Sequence, residues 1–188
     1  MPPITSLALR GVQIIFAAIV LGLSVSLTKG QGYGSVPATT GYSSFVGGFG
    51  IVVAAVGFAA IFIERLNGIV MWVVDGLAAT FYLAGGIAIA VQLRGVSCSN
   101  GSTTSNNALL NGGCFGGKEA RDRCDSETCC TYGLDRESKT FSPELKSRCQ
   151  MDEADAAFMF MGFLVTLGLI VVSFLVRRKS GGGKVIGV

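Results

Sequence analysis

The chain has 188 residues, half of them hydrophobic and only 14% charged, with a mean hydropathy of +0.57. A soluble domain carries roughly 25% charged residues, so a water-facing globule is excluded. The net charge of +3 marks no nucleic-acid face, because its charges are partitioned. Residues 94–155 are nearly balanced and slightly acidic, while the tail holds Arg177, Arg178, Lys179 and Lys184 without an acid.

Apolar runs of about 20 residues, long enough to cross ~30 Å of hydrocarbon as helices, occupy approximately 7–27, 44–63, 69–93 and 156–176. The first is too long for a signal-peptide core and no A-x-A-like site follows it, so it is read as retained. Residues 28–43, rich in Gly, Ser and Thr, read as an irregular link. The connection Glu64-Arg65-Leu66-Asn67 is short enough to force spans 2 and 3 into an antiparallel helical hairpin. The long loop, 94–155, divides into a Ser/Asn/Gly-rich part (97–117) and a charged part (118–155) with room for a short helix. It has too few apolar residues for a core of its own and needs covalent staples. The expected architecture is an all-α, four-helix membrane bundle over 1–176, followed by a basic tail over 177–188.

The short flanks are basic at Arg10, at Arg65 and at the Arg177-Arg178-Lys179 run, against Lys29 alone on the other side. Positive flanks face the cytosol, so both termini are expected there and 94–155 outside. Cysteine placement gives the same orientation: Cys98, Cys114, Cys124, Cys129, Cys130 and Cys149 all lie in the long loop, as an oxidising compartment favours.

The spans are rich in small residues at intervals of four: Ala18, Gly22 and Ser26; Ser44 and Gly48; Gly50 and Ala54; Ala55 and Ala59; Gly86 and Ala90. Such faces allow close helix approach in lipid, and packing within one bundle is the expectation here. Asp75 sits inside span 3, ~12 Å from its cytosolic end at 1.5 Å per residue. A central Asp costs about 2.5–3.5 kcal/mol to insert, so it should face inward with a partner. Arg10 and Gln13 at the same end of span 1 are the candidates, and a structural polar clamp is favoured over a proton or substrate relay.

Six cysteines allow fifteen pairings, and spacing does not choose among them. A Cys98–Cys149 bridge would hold the loop's ends together, leaving the other four for an inner framework. Neighbouring side chains diverge, so Cys129 and Cys130 should reach different partners. Without histidine or a CxxC, neither a metal cluster nor a thiol oxidoreductase is expected. Asn100-Gly101-Ser102 is an N-glycosylation sequon. The tail bases Arg177, Arg178, Lys179 and Lys184 form a stop-transfer anchor with the charge to attract anionic inner-leaflet lipid.

Arg10-Gly11-Val12-Gln13, continuing to Ile19-Val20-Leu21-Gly22-Leu23-Ser24, resembles the opening helix of fungal MARVEL-domain proteins, including the eisosome-associated Nce-type proteins. Asp75, followed by Phe81-Tyr82-Leu83-Ala84-Gly85-Gly86, is similar to that family's third helix, and Cys98 and Cys149 match its flanking pattern. The resemblance implies an M-shaped bundle that organises plasma-membrane domains, curvature or vesicle traffic without enzymatic activity or cofactors. Its implied partners are the bilayer, with sterol, sphingolipid and anionic lipid as candidates, and further copies of itself. Four extra cysteines depart from the family pattern. A tetraspanin-like scaffold is the nearest alternative, although Cys129-Cys130 is followed by Thr131 rather than by the Gly of that family. A small transporter using Asp75 is the third reading.

Overall fold

In hydrocarbon every backbone N–H and C=O must be satisfied within the protein, so apolar runs of this length become helices. The computed structural model describes residues 3–62, 69–132 and 142–181. Its elements are α1 (Pro3–Lys29), α2 (Ala38–Phe62), α3 (Ile69–Gln92), α4 (Gly101–Ser105), β1 (Phe115–Gly116), α5 (Lys118–Cys124), β2 (Thr128–Cys129) and α6 (Pro143–Gly181). Four of these, α1, α2, α3 and α6, are long and apolar enough to cross a membrane. The connection expected to make the hairpin, Glu64 to Asn67, lies outside the described residues.

The four long helices form a ring in which α1 contacts α2 and α6, and α3 contacts the same two. Its core gathers Val20, Val46, Tyr82, Ile89, Leu109, Ala156 and Met159. Tyr82 occupies a slot that only glycine leaves open. A Cβ at Gly162 would stand 3.0 Å from its ring, and one at Gly50 would collide with its hydroxyl. A Cβ at Gly47 would lie 2.6 Å from the Leu21 amide nitrogen, so α1 and α2 touch through backbone there. Large side chains such as Ile15, Val52, Val91 and Leu164 point outward, where a bilayer would receive them.

The small-residue faces divide differently from the expectation. Gly50, Ala54 and Gly86 face inward, whereas Ala18, Gly22, Ser26, Ala55 and Ala90 face outward, and nothing lies within 4 Å of a Cβ built on Gly22 or Gly48. The face α1 turns inward is Arg10, Gln13, Ala17, Val20, Ser24 and Leu27. These steps of three and four residues form one helical seam. Polar Arg10, Gln13 and Ser24 belong to it and are costly in lipid, so they set the rotation of the helix and leave the small stripe outside.

Helix α6 begins well before the apolar run at 156. Its 39 residues measure ~58 Å, about twice the hydrocarbon thickness, so its first turns enter the region of the long loop. There the loop, stapled by its disulfides as expected, also shares a small core with the long helices. Leu110, Leu145 and Cys149 are buried together against Leu93, Val96, Cys98 and Tyr132. The loop obtains this core from the ends of α3 and α6, which its own composition does not reveal.

The α1–α2 link also joins this cap. Gln31 donates from Nε2 to the carbonyl oxygens of Tyr33 (2.7 Å) and Gly112 (3.2 Å), and to Thr131 Oγ1 (3.1 Å). The Tyr33 amide donates to the Thr131 carbonyl. Gly34, at φ +72°, lies directly against the Gly113 carbonyl, where no side chain fits. Strands β1 and β2 pair antiparallel, Phe115 opposite Cys129.

Candidate functional site

At the end of the bundle bearing the termini, Arg10, Gln13 and Asp75 meet. Arg10 donates from Nη1 to Asp75 Oδ1 at 2.7 Å and from Nη2 to Asp75 Oδ2 at 2.6 Å. This is the two-pronged geometry that makes guanidinium–carboxylate pairs strong. Nη1 also donates to Gln13 Oε1 at 2.8 Å. The pair is almost wholly buried, with side-chain exposures of 7% and 3%. Arg10 reaches across because Gly57 of α2 leaves room: a Cβ there would overlap the guanidinium. One ion pair thus ties α1 to α3 across a notch in α2. Chemically it is a clamp in which two charges neutralise each other out of water.

A second buried polar group lies at the opposite, loop end. Arg148, Asp152 and Asp155 are 2%, 1% and 0% exposed. They share one face of α6, because they follow each other by four and then three residues. Arg148 donates from Nη1 to the Leu27 carbonyl at 3.2 Å, meeting an otherwise unsatisfied acceptor near the end of α1. Arg148 also acts electrostatically on Asp152. Asp155 faces the Ser43 hydroxyl of α2, which donates its own proton to the Thr39 carbonyl.

Between α3 and α6 the cysteines close the cap as Cys98–Cys149, Cys114–Cys130 and Cys124–Cys129. The adjacent pair therefore reaches different partners. Glu153 has a carboxylate oxygen within 4.8 Å of the Cys98 and Cys149 sulfurs, but those sulfurs are bonded to each other and are not thiolate ligands. Asn100 is exposed and caps α4, accepting from the Ser102 amide at 3.1 Å and hydroxyl at 2.8 Å. Arg178 is exposed. Lys184 lies outside the described residues, as do the side chains of Arg177 and Lys179.

A family model described as MARVEL, the membrane-associating domain, matches residues 3–172. The chain belongs to the MARVEL family. It is an integral membrane protein of a non-enzymatic membrane-domain family. No curated protein and no solved structure matches it.

Within this MARVEL bundle, the sequence reading missed the loop-end cluster and Gly57. Arg148, Asp152 and Asp155 were counted among the charges of an outer loop. A usable signal was present, because the buried positions Leu145, Arg148, Cys149, Asp152, Asp155, Ala156 and Met159 continue the helical period of the span without a break.

Proposed function

We propose that this MARVEL protein organises membrane domains, curvature or vesicle traffic by lateral self-association and lipid contact, without catalysis. In this reading the disulfide cap faces the extracellular or lumenal side, both termini are cytosolic, and Asn100 carries a glycan. The tail bases engage anionic lipid, and the assembly forms plasma-membrane patches of the eisosome type, rich in sterol or sphingolipid. The Arg10–Asp75 pair is a structural clamp.

The observation that supports self-association best is the outward stripe of α1. Ala18, Gly22 and Ser26 are turned away from the bundle, with open space above Gly22. A second helix can approach closely only along such a face. Gly22→Leu tests this, because the added side chain meets nothing in the protomer. Step-counting of single labelled molecules in supported bilayers should show oligomers for the parent chain and monomers for Gly22→Leu, both with the same melting midpoint. A monomeric parent, or an oligomer indifferent to the leucine, refutes the reading.

A further inference from the structure

The loop-end cluster does not balance its charge within itself. Arg148 offsets Asp152, one turn further along the same face of α6. Asp155 then remains as a carboxylate with no exposure, with the Ser43 hydroxyl beside it and no ion-pair partner among the described residues. Among the described residues the surroundings supply no second cation. Facing it from α2 is Ser43, with Thr40 one turn earlier on the same buried face. The register of Tyr82 with Gly162, and of Gly85 with Met159, places apolar Ile89 of α3 at its level. The inward face of α1 there is Ser24 and Leu27, while Lys29 and Arg94 are exposed at the rim.

What the surroundings do supply is oxygen. Helices α2 and α6 both run from the loop end towards the termini end. With Ser43 level with Asp155, Thr40, three residues earlier, is therefore level with Asp152, also three residues earlier. Thr40 is 2% exposed, and among the described residues its hydroxyl has no hydrogen-bond partner, like Asp152 Oδ2. The Ser43 hydroxyl, beside Asp155 and 3.1 Å from the Thr39 carbonyl, adds a further oxygen. An all-oxygen donor set with one uncompensated negative charge suits a hard cation of single charge.

We propose that Asp155, Asp152, Thr40 and Ser43 bind a monovalent alkali cation of the sodium class at the loop end, bridging α2 to α6 across the bundle axis. The cation would join two helices that otherwise contact each other mainly through α1 and α3. Arg148 sets the selectivity: its charge, acting on Asp152, keeps the net charge of the cluster at one and disfavours divalent ions.

The full chain in lipid nanodiscs is melted in 200 mM sodium chloride and in 200 mM choline chloride at equal pH. A bound ion raises the midpoint by mass action, and a rise of about 2–4 °C or more is expected in sodium. Asp155→Asn keeps the side-chain shape and should abolish the difference. Thr40→Val, a milder change, should fold normally and need about ten times more sodium for the same rise. Equal midpoints in the two salts overturn the proposal. So does a sodium effect that survives in Asp155→Asn, or a midpoint that follows pH but not sodium, which would assign the missing charge to a proton.

Discussion

Removing one partner of the Arg10–Asp75 pair should cost far more than removing both. The pair is two-pronged and its side chains are 7% and 3% exposed, so neither charge has water to fall back on. Asp75→Leu strands a guanidinium whose remaining acceptor among the described residues is Gln13 Oε1, and Arg10→Met strands a carboxylate. Breaking a buried pair in this way costs about 3–5 kcal/mol, a factor of at least 10² in the folding equilibrium. Replacing both by apolar residues of similar volume is often neutral or stabilising by about 1–4 kcal/mol. The cycle Arg10→Met, Asp75→Leu and the double variant should therefore give a double mutant near the parent and a coupling of several kcal/mol. Reversible unfolding in lipid nanodiscs followed by steric trapping measures all four corners. Single variants within about 1 kcal/mol of the parent, the range of solvated ion pairs, would refute a buried clamp. Single losses that simply add would refute the coupling.

Gly57→Ala should displace Arg10 from Asp75, because the added Cβ overlaps the guanidinium; overpacking of this kind costs about 1–3 kcal/mol. The same substitution should be harmless in the Arg10→Met, Asp75→Leu background, and equal effects in both backgrounds would remove Gly57 from the clamp. Replacing Cys98 and Cys149 by serine opens a bridge between residues 51 apart in sequence and should weaken the cap by about 2–4 kcal/mol. Hydrogen exchange should then quicken through 98–132 and the first turns of α6 while the spans stay protected. Protection unchanged in the cap would show that its small core suffices without the bridge.

The spans were legible because hydrocarbon thickness and backbone hydrogen bonding leave a 20-residue apolar run little choice. Asp75 was legible for the same reason, since one charge in such a run demands a partner, and Arg10 and Gln13 are the polar residues nearest in depth. Helix rotation was harder to read. Ala18, Gly22 and Ser26 look like a packing face in isolation, yet the neighbouring stripe holds Gln13 and Ser24, and keeping polar groups from lipid outweighs close packing of small ones. The loop's staples were legible in its cysteines, but the small core it shares with the helices was not. Its core depends on Leu93, Leu145 and Cys149, which belong to helix ends, and its tie to the α1–α2 link depends on Gln31 meeting Gly112 and Thr131 from a distant part of the chain. No local pattern encodes contacts of that separation.

The two polar clusters sit at opposite ends of a bundle whose middle is closed by Tyr82 between glycines. Apolar helices in lipid gain little from burying one face rather than another, so the middle alone leaves rotation and register weakly specified. The ends supply what it lacks. Arg10 meets Asp75 only if α1 and α3 hold one depth and one rotation, and Arg148 meets the Leu27 carbonyl only if α6 does the same against α1. With the inward faces set from both ends, the outward stripe of α1 keeps a fixed orientation to the bilayer, as a surface for lateral assembly requires. If the stripe serves the proposed self-association, loosening either cluster should lower the oligomer count in supported bilayers before it lowers the melting midpoint of the protomer.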